Sequence, residues 1–449
     1  MTVPRLFGTN GIRGVVGESI TSEFAFRIGS SVASLYKNKR VLLGRDGRTS
    51  SQMLAEGAVA GILAQGSSVE DCGTITTPGL QFLAKITVSP GLVITASHNP
   101  PEYNGFKVVD SDGIEIPRQK EERIERLVVK DQWKVSKTPG QREQRTLALE
   151  PYLASVRTHV KEKLANPLKV LVDTGNGVSS LTTPVLLRSL GCRVVTINDN
   201  IDGRFPGRTS EPRPENLGPL SGLVRFEKAA FGVAHDGDGD RAVFVDETGV
   251  VHSGDNSLTL IADEVLKKNS RGKLVTPVNS SMSVTEVARN RKGRMILTKV
   301  GSIHVARTMV REKAILGGEE NGGIFYAPHQ PVRDGTMATV LILNSILENR
   351  MPLSKLMARL PRFFMAKDKR KCPDAKKNDA MKRIRQRLGE RVTSTIDGVR
   401  VDIKGRGWFL VRPSGTEPII RIYVEGKTEK DLKQLLDEFN PLFDETIGT

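Results

Sequence analysis

Cysteine is scarce. Cys72, Cys192 and Cys372 are the only three in 449 residues and lie far apart, so neither a disulfide framework nor a thiolate metal site is available. Aromatic residues make up 5%, and no stacking platform or recognition-helix motif appears, which argues against nucleic-acid readout. No stretch approaches the roughly 18 apolar residues that span a bilayer. The N-terminus, MTVPRLFGTNGIRG, lacks the basic-then-apolar form of a secretory signal. These absences predict a cytoplasmic protein with no membrane partner. No feature separates a monomer from a dimer.

What is present is charge. The chain carries a net +16, and residues 362–391 hold 12 Lys or Arg against 4 Asp or Glu, a surplus of 8 and half the total. A basic nucleic-acid-binding protein is one reading of that cluster. A solvated helical face beside an anionic substrate site is the preferred one. Hydrophobic content of 38% with 26% charge describes a globular chain. Its length suits roughly three domains.

Strand-like and helix-like runs alternate, the pattern of α/β units with parallel sheets. Three segments share one layout. Arg40–Asp46 precedes a helical pattern from Ser51 to Gln65, Lys169–Asp173 precedes residues 180–190, and Lys273–Val278 precedes 282–290. They read as three structural repeats. The C-terminal part differs: a charged helix over 376–391, strands at 396–403, 408–412 and 420–425, then a helix capped by Thr428 with Asp431 in its first turn. That is an α+β unit. Divisions fall at 1–149, 150–249, 250–364 and 365–449.

The chemistry-bearing motifs lie in loops. Leu92-Val93-Ile94 reads as a buried strand delivering Thr95-Ala96-Ser97-His98-Asn99-Pro100, and turn formers at its mouth predict that Ser97 is presented to solvent. A hydroxyl nucleophile, the His98 imidazole and the Lys107 ammonium suit phosphoryl transfer. Read alone, the stretch is better taken as an ordinary strand-to-loop turn; the motifs below reverse that preference. Asp236-Gly237-Asp238-Gly239-Asp240-Arg241 puts three carboxylates at alternate positions, an oxygen cluster for a hard divalent cation such as Mg²⁺. An EF-hand is rejected because its sixth loop position is Arg241 and the flanks are strand-like. An Asp-Gly hairpin turn is the competing reading. His235 is expected to be packed, since hard cations prefer oxygen.

Arg412-Pro413-Ser414-Gly415-Thr416-Glu417-Pro418, with Arg421, suits a phosphate clamp or a tight Ser-Gly turn. The loop Gly317–Gly323 carries Glu319 and Asn321, able to bond sugar hydroxyls, though any strand connection looks similar. Arg13 sits in the glycine loop FGTNGIRG, and Gly44-Arg45-Asp46-Gly47-Arg48 adds positive charge.

Together these motifs resemble the α-D-phosphohexomutase family in order and over nearly the whole chain. TASHNP resembles its phosphoserine loop, DGDGDR its magnesium loop, GEENG its sugar-recognition loop and RPSGTEP its phosphate-binding loop. The resemblance implies four domains around a central cleft, three related α/β domains and a C-terminal α+β domain. It implies that phosphorylated Ser97 and Asp236, Asp238 and Asp240 hold Mg²⁺. Arg13, Lys107 and His98 would serve phosphoryl and proton transfer. Arg241, Glu319, Asn321, Arg412, Ser414, Gly415, Thr416 and Arg421 would bind substrate. The partner implied is a phosphorylated hexose or hexosamine, with a bisphosphosugar as intermediate and activator.

Asn321 stands where many members have serine, Gly323 where many have histidine, and Val300-Gly301-Ser302 where many read Val-Gly-Asp. The Glu-Glu-Asn-Gly-Gly form resembles archaeal members, and RPSGTEP resembles the hexosamine-phosphate branch. The expected reaction interconverts glucosamine 6-phosphate and glucosamine 1-phosphate. Alternatives are a phosphomannomutase or phosphoglucomutase of the same family, and a metal-dependent sugar phosphatase using an aspartate of the 236–240 loop.

Overall fold

The computed structural model describes residues 5–37, 40–130, 133, 135–162, 164, 166–415 and 417–447. Three mixed sheets follow one another along the chain, and a fourth, wholly antiparallel sheet ends it.

The three repeats have one topology. In the first, Val41–Arg45 lies between parallel neighbours Val69–Thr74 and Gly91–Ile94, and the antiparallel strand Tyr103–Val109 follows the latter. In the second, Lys169–Asp173 lies between Arg193–Ile197 and Phe231–His235, followed by antiparallel Ala242–Asp246. In the third, Lys273–Pro277 lies between Arg294–Thr298 and Leu316–Gly318, followed by antiparallel Ile324–Tyr326. The central strands are short apolar runs; Val41, Leu42, Leu43, Val170, Leu171, Val172, Leu274 and Val275 are all buried. Parallel strands flanked by crossover helices need this burial. Each repeat thus sends one loop out between its third parallel strand and the antiparallel return. Those three loops carry TASHNP, DGDGDR and GEENG.

The first repeat packs its own core around Ile28, Leu54, Ile94 and Phe106. The second and third share one, including Phe231, Phe244, Leu258 and Ile342. The C-terminal sheet runs Phe364–Lys371, Ile419–Gly426, Gly407–Pro413, Val399–Ile403. Helices Asp374–Leu388 and Glu429–Ile447 cover it, with Ile384, Leu435, Phe439 and Phe443 buried beneath. Thr428 and Asp431 exchange bonds at the second helix's start: Asp431 N donates to Thr428 Oγ1 at 3.1 Å, and Thr428 N to Asp431 Oδ2 at 3.1 Å.

This sheet is fastened to the third repeat by a buried carboxylate. Glu425 Oε2 accepts from Trp408 Nε1 at 2.6 Å and from the backbone N of Met282 at 2.7 Å, at the start of helix Met282–Asn290. A carboxylate suits the free N–H groups of a helix start.

One expectation is corrected here. The basic stretch is not a helix throughout: Phe364–Lys371 is an edge strand paired with Ile419–Gly426. Its Lys-Asp-Lys-Arg-Lys run is the charged edge that discourages pairing with another chain.

Candidate active site

The first loop is built around Arg48 and Asp46, each 3% exposed. Asp46 Oδ2 accepts from Thr95 Oγ1 at 2.6 Å, and Thr95 Oγ1 accepts from the Ser97 N–H at 2.8 Å. Arg48 donates to the carbonyls of Ser97, Asn99, Pro100 and Tyr103 at 2.6–2.9 Å. These bonds hold Ser97 in a left-handed conformation, φ +51°, which a non-glycine residue adopts at a cost.

Ser97 is fully buried rather than presented to solvent. The metal loop of the second repeat covers it. Ser97 Oγ donates to Asp236 Oδ2 at 2.7 Å, and Ser97 O accepts from Ser210 Oγ at 3.0 Å. Gly237 allows the approach, because a Cβ there would stand 2.7 Å from Ser97 O. Local turn chemistry signalled a loop; the neighbouring repeat decided its exposure.

Asp236, Asp238 and Asp240 converge, with one oxygen from each lying within 4.8 Å of the others, all buried. Lys107 reaches in from the first repeat and donates to Asp238 Oδ2 at 2.7 Å and Asp240 Oδ2 at 2.9 Å. Thr77 Oγ1 donates to Asp238 Oδ2 at 2.6 Å. Arg13 Nη1 donates to Asn99 Oδ1 at 2.7 Å, and its Nε and Nη2, also buried, have no protein partner. His98 Nδ1 lies 3.4 Å from Ser97 Oγ. His235 is packed as expected, its Nδ1 2.9 Å from Arg241 O.

Above this floor lies a cleft. His98, Arg241, Glu319, Asn321, Arg412, Ser414, Gly415 and Arg421 line it together, the first four from loops of the three repeats and the rest from two strands of the C-terminal sheet and the turn between them. Arg241 Nη1 pairs with Glu211 Oε1 at 3.1 Å. Arg412 Nε donates to Asp397 Oδ2 at 2.9 Å, and Arg421 pairs with Glu417. Lys377, from the basic stretch, donates to the carbonyl of Ser414 at 2.6 Å and so steadies that turn. Thr416 lies outside the described residues.

Models of the phosphoglucomutase/phosphomannomutase domains match in order: domain I at residues 4–134, domain II at 150–249, domain III at 253–363 and the C-terminal domain at 369–442. The chain is 39% identical over 439 residues to a probable phosphoglucosamine mutase of Methanopyrus kandleri, covering 97% of each chain. The chain belongs to the phosphoglucomutase/phosphomannomutase family. A phosphoglucosamine/phosphogalactosamine mutase of Sulfurisphaera tokodaii is 40% identical, over 98% of this chain and 99% of its own. Among solved structures, a phosphoglucomutase/phosphomannomutase family protein of Burkholderia thailandensis superposes with TM-score 0.89 at 28% identity, covering 98% of this chain and 97% of that one.

Membership of the phosphoglucomutase/phosphomannomutase family implies Mg²⁺, and the residues present fit it. The donor set is all oxygen, and Asp238 Oδ1 and Asp240 Oδ1 are buried without a hydrogen-bond partner. Burial, then the negative charges of Asp240 and Asp238, push Asp236 up to about 8; a cation among them would reverse that. Burial works against the Lys107 ammonium, but Asp238 and Asp240 outweigh it and raise its pKa. Burial, then Arg241 and Arg13, hold the His98 imidazole well below its usual range, so it is neutral at pH 7.

Several members of the site were not read from the sequence. Arg48 stood in GRDGR as charge only, although an Asp-x-Arg pair in a glycine loop was a usable signal. Arg333 and Asp397 carried none. Each takes its partners from distant parts of the chain: Asp240 and Glu319 for Arg333, Arg412 and Val300 for Asp397.

Proposed function

We propose that this chain is a phosphoglucosamine mutase, interconverting glucosamine 6-phosphate and glucosamine 1-phosphate through a phosphoserine at Ser97 and a bisphosphosugar. The observation that carries the reading is the 2.7 Å bond from Ser97 Oγ to Asp236 Oδ2, which places the seryl hydroxyl against a three-carboxylate cluster. Relatives bearing that activity in their names match over nearly their full length. The four divisions at 1–149, 150–249, 250–364 and 365–449 belong to the same reading.

In this reading the bond from phosphorus to Ser97 Oγ breaks as the free sugar hydroxyl bonds to phosphorus; the sugar hydroxyl gives its proton to a neighbouring base and Ser97 Oγ takes one up. The sugar then carries two phosphates, turns over in the cleft, and returns the other phosphate to Ser97. Asp236, Asp238, Asp240 and the phosphoserine would hold Mg²⁺, which offsets charge on the transferring group. Arg13, bound to Asn99 and with two buried nitrogens left unpartnered, and Lys107 supply further positive charge. Glu319 and Asn321 read the sugar, Arg241 faces it, and Arg412, Ser414, Gly415, Thr416 and Arg421 hold the phosphate that is not being transferred.

Intact-mass analysis tests this. The purified protein should carry one phosphate, lost in Ser97→Ala, and that variant should have no mutase activity while keeping its fold. Full activity in Ser97→Ala refutes the assignment. Sugar-phosphate hydrolysis by an unphosphorylated enzyme would instead identify a phosphatase. Rates with glucosamine, galactosamine, mannose and glucose 1-phosphates, each primed with a bisphosphosugar, rank the substrates.

A further inference from the structure

Arg333 ends the strand Gln330–Arg333 of the third repeat, and its side chain is 2% exposed. Its guanidinium spans two loops. Nη2 donates to Asp240 Oδ2 at 2.6 Å, and Nη1 donates to Glu319 Oε2 at 3.3 Å. One carboxylate belongs to the metal loop of the second repeat, the other to the glycine loop at the cleft. Two cleft-lining carboxylates reach the acidic cluster through an arginine: Glu211 by way of Arg241, whose Nε stands 3.9 Å from Asp236 and Asp240, and Glu319 by way of Arg333, which is hydrogen-bonded to both ends.

The backbone fixes this arrangement. The Gly335 N–H donates to the carbonyl of Gly239 in the metal loop at 3.2 Å, and the Asp334 N–H donates to the carbonyl of Ile324 at 3.0 Å. Residue 333 is therefore held in register with both loops. Gly323 makes the room: a Cβ there would stand 2.4 Å from Arg333 Cδ. The guanidinium passes over a position where any side chain would displace it.

Glu319 is 4% exposed, and its carboxylate feels the charges of Arg333, Arg241, Asp240 and Glu115. Burying an acceptor in that setting requires a partner that also fixes its direction. A planar fork with two separate donors does this; an ammonium on a flexible stem serves one carboxylate at a time.

We propose that Arg333 is the positioning residue for sugar recognition: anchored on Asp240, it aims the Glu319 carboxylate into the cleft, so that the hexose is read in the same frame as the acidic cluster. The inference rests on the reading of Glu319 as a sugar contact given above. Hydroxyl contacts of this kind are made before and during transfer alike, so losing them raises KM more than it lowers kcat.

The test is steady-state kinetics on the full-length, primed enzyme with Arg333→Lys, Gly323→Ala, Glu319→Gln and the double variant Arg333→Lys/Glu319→Gln. Loss of one charge-assisted bond predicts a KM for the sugar phosphate about tenfold higher in Arg333→Lys, with kcat changed less than KM. Gly323→Ala, which removes no polar atom, should move KM in the same direction, and it carries the test should Arg333→Lys not fold. In the Glu319→Gln background, Arg333→Lys should add little, because its effect runs through Glu319. A wild-type KM in both Arg333→Lys and Gly323→Ala overturns the proposal. So does a full KM penalty from Arg333→Lys in the Glu319→Gln background, which would make Arg333 a merely structural ion pair. An unchanged KM in Glu319→Gln itself would remove the sugar-reading role of Glu319, and the proposal with it.

Discussion

Arg48 donates from Nη2 to the carbonyl oxygen of Ser97 at 2.8 Å while its Nε is bound to Asp46 at 3.2 Å. The guanidinium thus joins the strand end of Val41–Arg45 to the loop that carries the Ser97 hydroxyl. Removing it by Arg48→Ala would leave Asp46 buried and four carbonyls short of a donor. Breaking such a buried pair costs about 3–5 kcal/mol. Urea denaturation should show that loss, and intact mass should show little phosphate on Ser97.

Gly237→Ala probes the contact from the other side. The added methyl would meet Ser97 O and Ser210 Oγ, both at 2.7 Å. Crowding of this kind costs about 1–3 kcal/mol. The expected outcome is a melting temperature lowered by a few degrees with a much larger fall in kcat, because the strain falls on the seryl backbone. Equal kcat in mutant and parent would contradict the proposed role of this interface.

Cation binding should be visible without turnover. A ligand present at 100 times its dissociation constant stabilises a fold by about 2.7 kcal/mol. Calorimetry of chelator-treated protein should therefore show a rise in melting temperature on adding Mg²⁺. Asp238→Asn and Asp240→Asn, which alter the two carboxylates of the cluster that keep a buried, unpartnered oxygen, should reduce that rise. A rise of the same size in both variants would place the ion elsewhere.

Arg412→Ala should mainly weaken substrate capture. The loss of a charge-assisted contact to phosphate is worth about 1.5–3 kcal/mol, or roughly 10- to 100-fold in KM. Asp397 adds a second consequence. Its Oδ2 accepts from Arg412 Nε at 2.9 Å and from the Val300 N–H of the third repeat at 3.0 Å. Asp397→Ala should raise KM through the same arginine and loosen the C-terminal unit, measured as faster proteolysis near residues 395–400.

Much of the molecule was legible in the chain itself. Apolar runs such as Val41–Leu43 and Leu274–Val275 specify buried central strands, and the helices beginning at Ser51 and Met282 follow from the pattern after each. Glycine and carboxylate spacing in 236–240 specified an oxygen cluster, since those residues are adjacent and the backbone alone brings them together. Local sequence therefore settled elements and loop chemistry.

The tertiary structure decided what the loops meet. Ser97 was expected at the surface and is buried because a loop from another repeat lies across it. Arg333 and Asp397 gave no signal, since a charged side chain is defined by partners about 93 and 15 residues away. The equivalence of the three motif loops also emerges only from strand pairing. The physical reason is the same in each case: periodicity and turn propensity act over a few neighbouring residues, whereas burial and ion pairing depend on which surfaces the packed sheets bring into contact.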